Sequence, residues 1–164
     1  MAATDEVVQS QYLTCKISDE EYGIGILEAR EILEYDTLTK VPNAPSYIRG
    51  VINLRGRVVP VVDLAIRFGE GARPLNRRTC IIIVQTGGEE GTGIVGLVAD
   101  AVSQVMELPA DQIEPAPSFG TQARQAYLKG LGRAGNRFVL LLALDQILAD
   151  ADLEAVIEEG GRAA

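Results

Sequence analysis

Apolar positions in this chain fall into short runs, mostly of period two, broken by glycine, proline and charge. Leu13, Cys15 and Ile17 alternate with Tyr12, Thr14, Lys16 and Ser18, the period of a half-buried strand. Asp19 to Gly23 turns the chain, and Gly23-Ile24-Gly25-Ile26 returns as a second strand. Ile26 to Tyr35 fits a helical face or a strand; the better reading is a short turn at Glu28-Ala29 and then a strand from about Arg30. Val41-Pro42-Asn43-Ala44-Pro45 is a stiff loop, because each proline fixes φ and removes a donor. Ser46 to Arg49 is expected to make one helical turn, and Asp63 to cap a brief helix through Phe68. Gly69 to Pro74 mixes glycine, proline and charge without periodicity and makes the best boundary. Beyond it, Thr79 to Thr86, Gly93 to Ala99 and the stretch holding Val102, Val105 and Met106 read as strands, with Gly87 to Gly91 as a flexible hairpin loop. Asp145 is expected to cap a short helix. Leu153, Val156 and Ile157 then lie at helical spacing among acidic residues, an amphipathic tail helix. Residues 1–10 are small and polar and are expected to fray.

The pattern repeats. Tyr47 to Leu64 holds two apolar strands around the corner Asn53-Leu54-Arg55-Gly56, which reads as a β-hairpin. Tyr47, Gly50, Arg57, Val59 and Leu64 recur 80 residues further on as Tyr127, Gly130, Arg137, Val139 and Leu144. Ile48, Arg49, Val58 and Val61 become Leu128, Lys129, Phe138 and Leu141. The chain is therefore read as internally duplicated, which predicts two similar barrels or sandwiches. The corner itself diverges, to Arg133-Ala134-Gly135-Asn136. A changed corner on a preserved framework is what a grafted binding site leaves behind, and equally what two different turns would give.

Composition narrows the function. The net charge is −8, which disfavours nucleic-acid backbones and anionic membrane surfaces. Phe138 to Leu144 is the longest apolar run, far short of the roughly 20 residues of a membrane span. With no leader pattern and Ala2 in place of an acylated glycine, the expectation is a cytoplasmic protein. There is no histidine, which removes the commonest general base and metal ligand. Cys15 and Cys80 lie in separate apolar strands and read as small buried hydrophobes. Gly87 to Gly93 lacks the lysine or helix start of a phosphate loop, and the acidic pairs Glu20-Glu21, Glu89-Glu90 and Glu158-Glu159 sit in turns or on the tail. No cofactor or metal is expected. What remains is a recognition protein. Arg55 at the corner suits an interface ion pair, and Ile26, Ala29, Ile32, Val95 and Val105 would make an apolar floor if they turn outward; otherwise they are core.

Gly50-Val51-Ile52-Asn53-Leu54-Arg55-Gly56 followed by Val59-Pro60-Val61-Val62-Asp63-Leu64 resembles the signature of the CheW coupling proteins of bacterial chemotaxis. Glu31-Ile32, Val41-Pro42, Tyr47-Ile48-Arg49-Gly50 and Tyr127 to Gly132 fit it in order and spacing, over about Tyr12 to Leu148. The resemblance implies an all-β fold of two intertwined, SH3-like, five-stranded barrels with short helices and a C-terminal helix. The first barrel would span about 11–70 and the second about 78–150, with strand exchange between them left open and a tail helix over 151–164. It implies a non-enzymatic adaptor that joins the cytoplasmic tips of chemoreceptors to the regulatory domain of the histidine kinase CheA in membrane-attached arrays. The receptor groove would involve Ile26, Ala29, Glu31, Ile32, Arg55, Val95, Gly96 and Val105, with Arg55 and Glu31 paired across it. The kinase-facing surface would lie near Lys40, Val41, Arg49, Gly50 and Val51. An adaptor of a twitching or surface-sensing pathway is the alternative within the family. A small ligand-binding β-barrel and an enzyme with a lone carboxylate, lysine or tyrosine in a cleft are the alternatives outside it.

Overall fold

The computed structural model describes residues 10–71, 73–86, 93–116 and 125–148, and it is built of two sheets. Side by side in the first sheet run β3 (Ala29–Glu34), β6 (Cys80–Thr86), β7 (Gly93–Ala99), β5 (Arg57–Val62) and β4 (Ile48–Leu54). In the second sheet the order is β8 (Ala101–Glu107), β1 (Gln11–Ile17), β2 (Glu20–Gly25), β11 (Arg137–Leu142), β10 (Leu128–Ala134) and β9 (Ile113–Glu114). Five strands was the expectation for each; the second sheet gains the two-residue β9. The chain passes from the second sheet to the first through a turn at Ile26–Glu28, so β3 starts at Ala29, slightly earlier than the sequence suggests. It returns through Asp100, between β7 and β8.

Register makes the duplication explicit. The β4–β5 ladder shifts between Ile48 and Gly50, and the β10–β11 ladder shifts at the same place, between Leu128 and Gly130. β5 runs parallel to β7 with Val61 opposite Gly96, and β11 runs parallel to β2 with Leu141 opposite Gly23. Both glycines are needed where they stand. A β-carbon on Gly96 would lie 2.7 Å from Ile81 Cγ2, and one on Gly23 would lie 2.8 Å from Leu141 Cδ2. The hairpins close alike too: Asp63 N–H donates to the Tyr47 carbonyl at 2.7 Å, and Ala143 N–H donates to the Tyr127 carbonyl at 2.8 Å.

Three apolar clusters explain why several strands read as unbroken apolar runs. Val59, Val61, Ile81, Ile83 and Val98 fill the inside of the first sheet, with Leu33, Ile52 and Leu54 against them. All five strands contribute, so the sheet must curl around this cluster. Tyr12, Leu108, Val139 and Leu141 do the same for the second sheet. The opposite faces meet in a shared core that includes Leu13, Cys15, Ile17, Ile24, Val62, Leu64, Ile82, Val84, Leu97, Leu142 and Leu144. The shared core is the largest of the three clusters, so most of the buried apolar residues lie between the two sheets rather than inside either.

Some local expectations change. β1 is buried on both faces, Tyr12 and Thr14 included, because it lies between β2 and β8 with a core on each side. The Thr14 hydroxyl donates to the Gln104 carbonyl at 3.0 Å beside the irregularity in the β1–β8 ladder. Ser46 and Tyr47 form a turn rather than a helical turn, with Ile48 N–H on the Pro45 carbonyl at 3.0 Å. Helix α1 (Leu64–Arg67) is capped by Asp63 as expected, its carboxylate accepting from Ala65 N–H. In α2 (Leu144–Leu148), Asp145 sits inside the first turn and the Ala143 carbonyl takes the first amide bonds. The frayed segment 1–9, the loop at Gly87–Gly91, most of 118–126 and the tail helix expected over 151–164 lie outside the described residues.

Candidate functional site

The hairpin corner between β4 and β5 is a two-residue turn, Arg55-Gly56, with φ of +51° and +85°. Positive φ at both central residues matches the right-handed twist of a hairpin, but it favours glycine or asparagine over arginine. The second copy satisfies this with Gly135, at φ +63°. In the first copy Asn53 supports the turn, its side-chain oxygen accepting from Gly56 N–H at 2.9 Å. Arg55 Nη1 lies 2.7 Å from Glu31 Oε2, and Nη2 lies 3.4 Å from Oε1. The hydrogen bond that Arg55 donates to Glu31, and then the Glu31 charge, raise the Arg55 guanidinium above its already high value. β3 and β4 are the two edges of the first sheet. The pair therefore ties edge to edge within one barrel, and further along the Thr39–Val51 bridge joins the segment after β3 to β4. It does not span from one sheet to the other.

The remaining groove residues divide by burial. Partners across a ladder share a face, so Ile32, opposite buried Ile82, points to the shared-core side, and so does Val105, opposite Leu13. Both lie on edge strands and are about half exposed, at 49% and 52%. Ile26 and Ala29 are partly buried against the same core. Gln11 pairs with Glu107 and accepts from Ile26 N–H at 3.0 Å. The end of β8 is thus about 10 Å, two strand spacings, from the crossing turn. Ile26, Ala29, Ile32 and Val105 are thus each partly exposed on the shared-core side, the seam where the two sheets meet. Val95 and Gly96 do not reach the surface. Val95 is wholly buried opposite Val84, whose other neighbour is Ala29, so it supports the seam from below. Glu28, at the crossing, has its carboxyl pushed up by burial, against which Lys129 acts and with which Asp145 acts.

The second set gathers on β4 and the segment beside it. Thr39 N–H donates to the Val51 carbonyl at 3.1 Å and Val51 N–H to the Thr39 carbonyl at 2.8 Å, which sets Lys40 and Val41 next to Gly50 and Val51. Lys40 is exposed, Val41 and Arg49 are partly buried, and Gly50 and Val51 are buried. A β-carbon on Gly50 would come within 2.6 Å of the Thr39 carbonyl oxygen and 2.9 Å of Leu38 Cβ.

One arrangement escapes a reading of the sequence. Asp63, with no exposed surface, accepts from Arg49 Nε and Nη2 on Oδ2 at 3.1 and 2.8 Å, and from Arg73 Nη1 on both oxygens at 2.8 and 3.0 Å. Arg73 Nε continues to Asp100 at 2.8 and 3.0 Å. Burial works against the charge of Arg73, and the bonds to Asp100 and Asp63 outweigh it, so its pKa is raised. Gly69 to Pro74 reads as a boundary by composition, and a single arginine there has no periodicity that would mark it as a partly buried cation.

Cys15 and Cys80 are free and buried. Burial, and next the neighbouring Cys80, push the Cys15 thiol up to about 12, and burial with Asp100 raises Cys80. Among the described residues no three histidine, cysteine or acidic side chains converge as metal ligands. Nor is any helix among them long and apolar enough to cross a membrane.

A family model described as a CheW-like domain matches residues 11–152. The chain is 38% identical over 151 residues to the chemotaxis protein CheW of Klebsiella aerogenes, covering 92% of this chain and 89% of that one. It is 30% identical over 149 residues to protein FrzA of Myxococcus xanthus, covering 90% and 91%. Its structure is similar to the crystal structure of the scaffolding protein TtCheW from Thermoanaerobacter tengcongensis, with a TM-score of 0.72 and 32% identity over 82% of this chain and 88% of that one. Signature hairpin, duplicated sheets and these likenesses agree, and the chain belongs to the CheW family.

Proposed function

We propose that this protein is a non-enzymatic coupling adaptor of a chemotaxis system, holding chemoreceptor cytoplasmic tips on one face and the regulatory domain of the histidine kinase CheA on another. Family membership supports the adaptor role, and the relatives are named for chemotaxis and for scaffolding. The observation that carries the reading is the corner. Arg55 holds a left-handed backbone position that its second-copy counterpart gives to glycine, and its exposed guanidinium is fixed on Glu31, the residue before Ile32 on β3. Strain retained at one copy of a duplicated turn points to a side chain kept for recognition. The seam of Ile26, Ala29, Ile32 and Val105 offers apolar surface of the sort that takes a helix hairpin. Lys40, Val41 and Arg49 present a second surface on β4 and the segment beside it. Protein reaching the membrane-attached arrays would do so through these partners.

Calorimetric titration of the full chain into a receptor-tip fragment and, separately, into the kinase regulatory domain tests the reading. Micromolar binding to both, roughly −8 kcal/mol each, is expected. Binding to neither by folded protein would overturn it.

A further inference from the structure

Arg49 grips Asp63 in an unusual way. Its Nε and Nη2 both bind Oδ2, at 3.1 and 2.8 Å, where a guanidinium left to itself prefers to lay two nitrogens on two carboxylate oxygens. The reason is occupancy. Oδ1 already accepts from Arg73 Nη1 at 2.8 Å and from Ala65 N–H at 3.2 Å, and Nη1 reaches Oδ2 as well, at 3.0 Å. The acceptor positions of the carboxylate are filled. Arg73 is itself fixed at its other end. Its Nε lies 2.8 and 3.0 Å from the two oxygens of Asp100. Asp100 accepts from Ser18 N–H at 2.9 Å, and its own N–H donates to the Lys16 carbonyl at 2.8 Å. One arginine therefore joins the α1 cap and β4 of the first sheet to the β1–β2 turn of the second. Two carboxylates and two guanidiniums balance in charge, and Arg49, Arg73 and Asp100 are each a quarter exposed or less.

We propose that Arg73 is a positioning residue for the surface that carries Arg49: by occupying Asp63 Oδ1 it holds Arg49 on Oδ2 alone, so that Nη1 is the guanidinium nitrogen left over for a carboxylate or carbonyl of the partner. Through Asp100 that orientation depends on where the second sheet sits. The partner arm rests on the kinase-facing reading of Arg49 above; the orientation of Arg49 does not.

The test uses the full chain with Arg73→Met, Arg73→Lys and Asp100→Asn. In the free protein, the Nε–H resonance of Arg49 is followed by nitrogen-15 NMR. Loss of Arg73 frees Oδ1, so the Arg49 resonance shifts and exchanges faster in Arg73→Met, less so in Asp100→Asn. Arg73→Lys, which keeps a cation but not the fork, falls between them and serves if Arg73→Met does not fold. Binding to the kinase regulatory domain weakens about tenfold in Arg73→Met, while binding to the receptor tip stays within about twofold. An unmoved Arg49 resonance in any folded Arg73 variant overturns the positioning role, whatever the binding shows. A shifted resonance with unchanged kinase binding, in parallel with Arg49→Met binding as wild type does, keeps the positioning and overturns the use of Arg49 by that partner.

Discussion

Arg55 reaches Glu31 from a left-handed turn, Nη1 to Oε2 at 2.7 Å, and by doing so fastens one edge strand of the first sheet to the other. The side chain is 74% exposed and Glu31 28%, so the contact is solvent-screened and its value to stability is small. Its consequence is geometric. A long, flexible cation is held in one place where the two edges of the first sheet meet.

That separation of fold from recognition gives a prediction with opposite signs. Arg55→Gly removes the side chain and also the cost of a β-carbon at φ +51°. The variant is expected to be as stable as wild type or slightly more so, yet to lose at least about tenfold in binding to a receptor tip. Arg55→Ala should lose as much binding without the gain in stability. Thermal melting with calorimetry decides it: Arg55→Gly protein that binds normally would show that the side chain has no part in recognition.

Gly50 is expected to behave in the reverse way. The β-carbon of Gly50→Ala would meet the Thr39 carbonyl, which is backbone and bonded to Val51, so no rotamer change relieves it. A loss of roughly 2–3 kcal/mol is expected for alanine and more for Gly50→Asp. Amide exchange should show the bridge between Thr39 and Val51 opening. If urea titration finds Gly50→Ala within about 0.5 kcal/mol of wild type, the close approach is not what the geometry indicates.

How much of this was readable beforehand follows from which signals are local. The duplication, the hairpin, the Asp63 cap and most strands were legible because turns and period-two runs are encoded in adjacent residues. The Arg55–Glu31 pair entered through family resemblance, and the structure contains it, although it closes one barrel rather than crossing a groove. Burial was less legible. Val95 and Gly96 enter as groove candidates through the family resemblance, yet Val95 packs in the shared core and Gly96 lies against Ile81 and Ile83 inside the first barrel, so neither reaches the surface. Tyr12 and Thr14 look half-exposed until the second sheet curls and brings Leu108, Val139 and Leu141 onto the Tyr12 face of β1. Arg73 was invisible because its partners lie 10 and 27 residues away and neither distance is a period of anything.

Asp63 carries the clearest stability prediction. Asp63→Asn removes the negative charge between two guanidiniums while keeping an oxygen able to cap α1. Breaking a buried pair from one side costs about 3 kcal/mol or more, which for a chain of this size lowers Tm by roughly 10 °C. Asp63→Ala should cost about 1 kcal/mol further through the lost cap. The second copy shows the alternative solution, with Ala143 at the equivalent position and Lys129 lying over the Tyr12 ring at 5.3 Å. An Asp63→Asn protein that melts within about 2 °C of wild type would mean the guanidiniums find other acceptors.

Cys15 makes stability depend on alkaline pH, and the sign can be worked out. Unfolded, its thiol loses the proton near 9.0; folded, burial holds the value at about 12. Below pH 9 both states are protonated and the residue contributes no slope. Between the two values the unfolded chain binds fewer protons than the native one, so stability falls as pH rises, by up to about 1.4 kcal/mol per unit. Cys80, raised by burial and Asp100, adds a slope of the same sign. The informative quantity is the difference between wild type and Cys15→Ala, in which the contributions of all other groups cancel. Urea unfolding at pH 8, 9, 10 and 11 should show Cys15→Ala less stable at pH 8, from the cavity it leaves, and the gap closing as pH rises. Parallel profiles would show that the Cys15 thiol ionises as readily inside the protein as outside it.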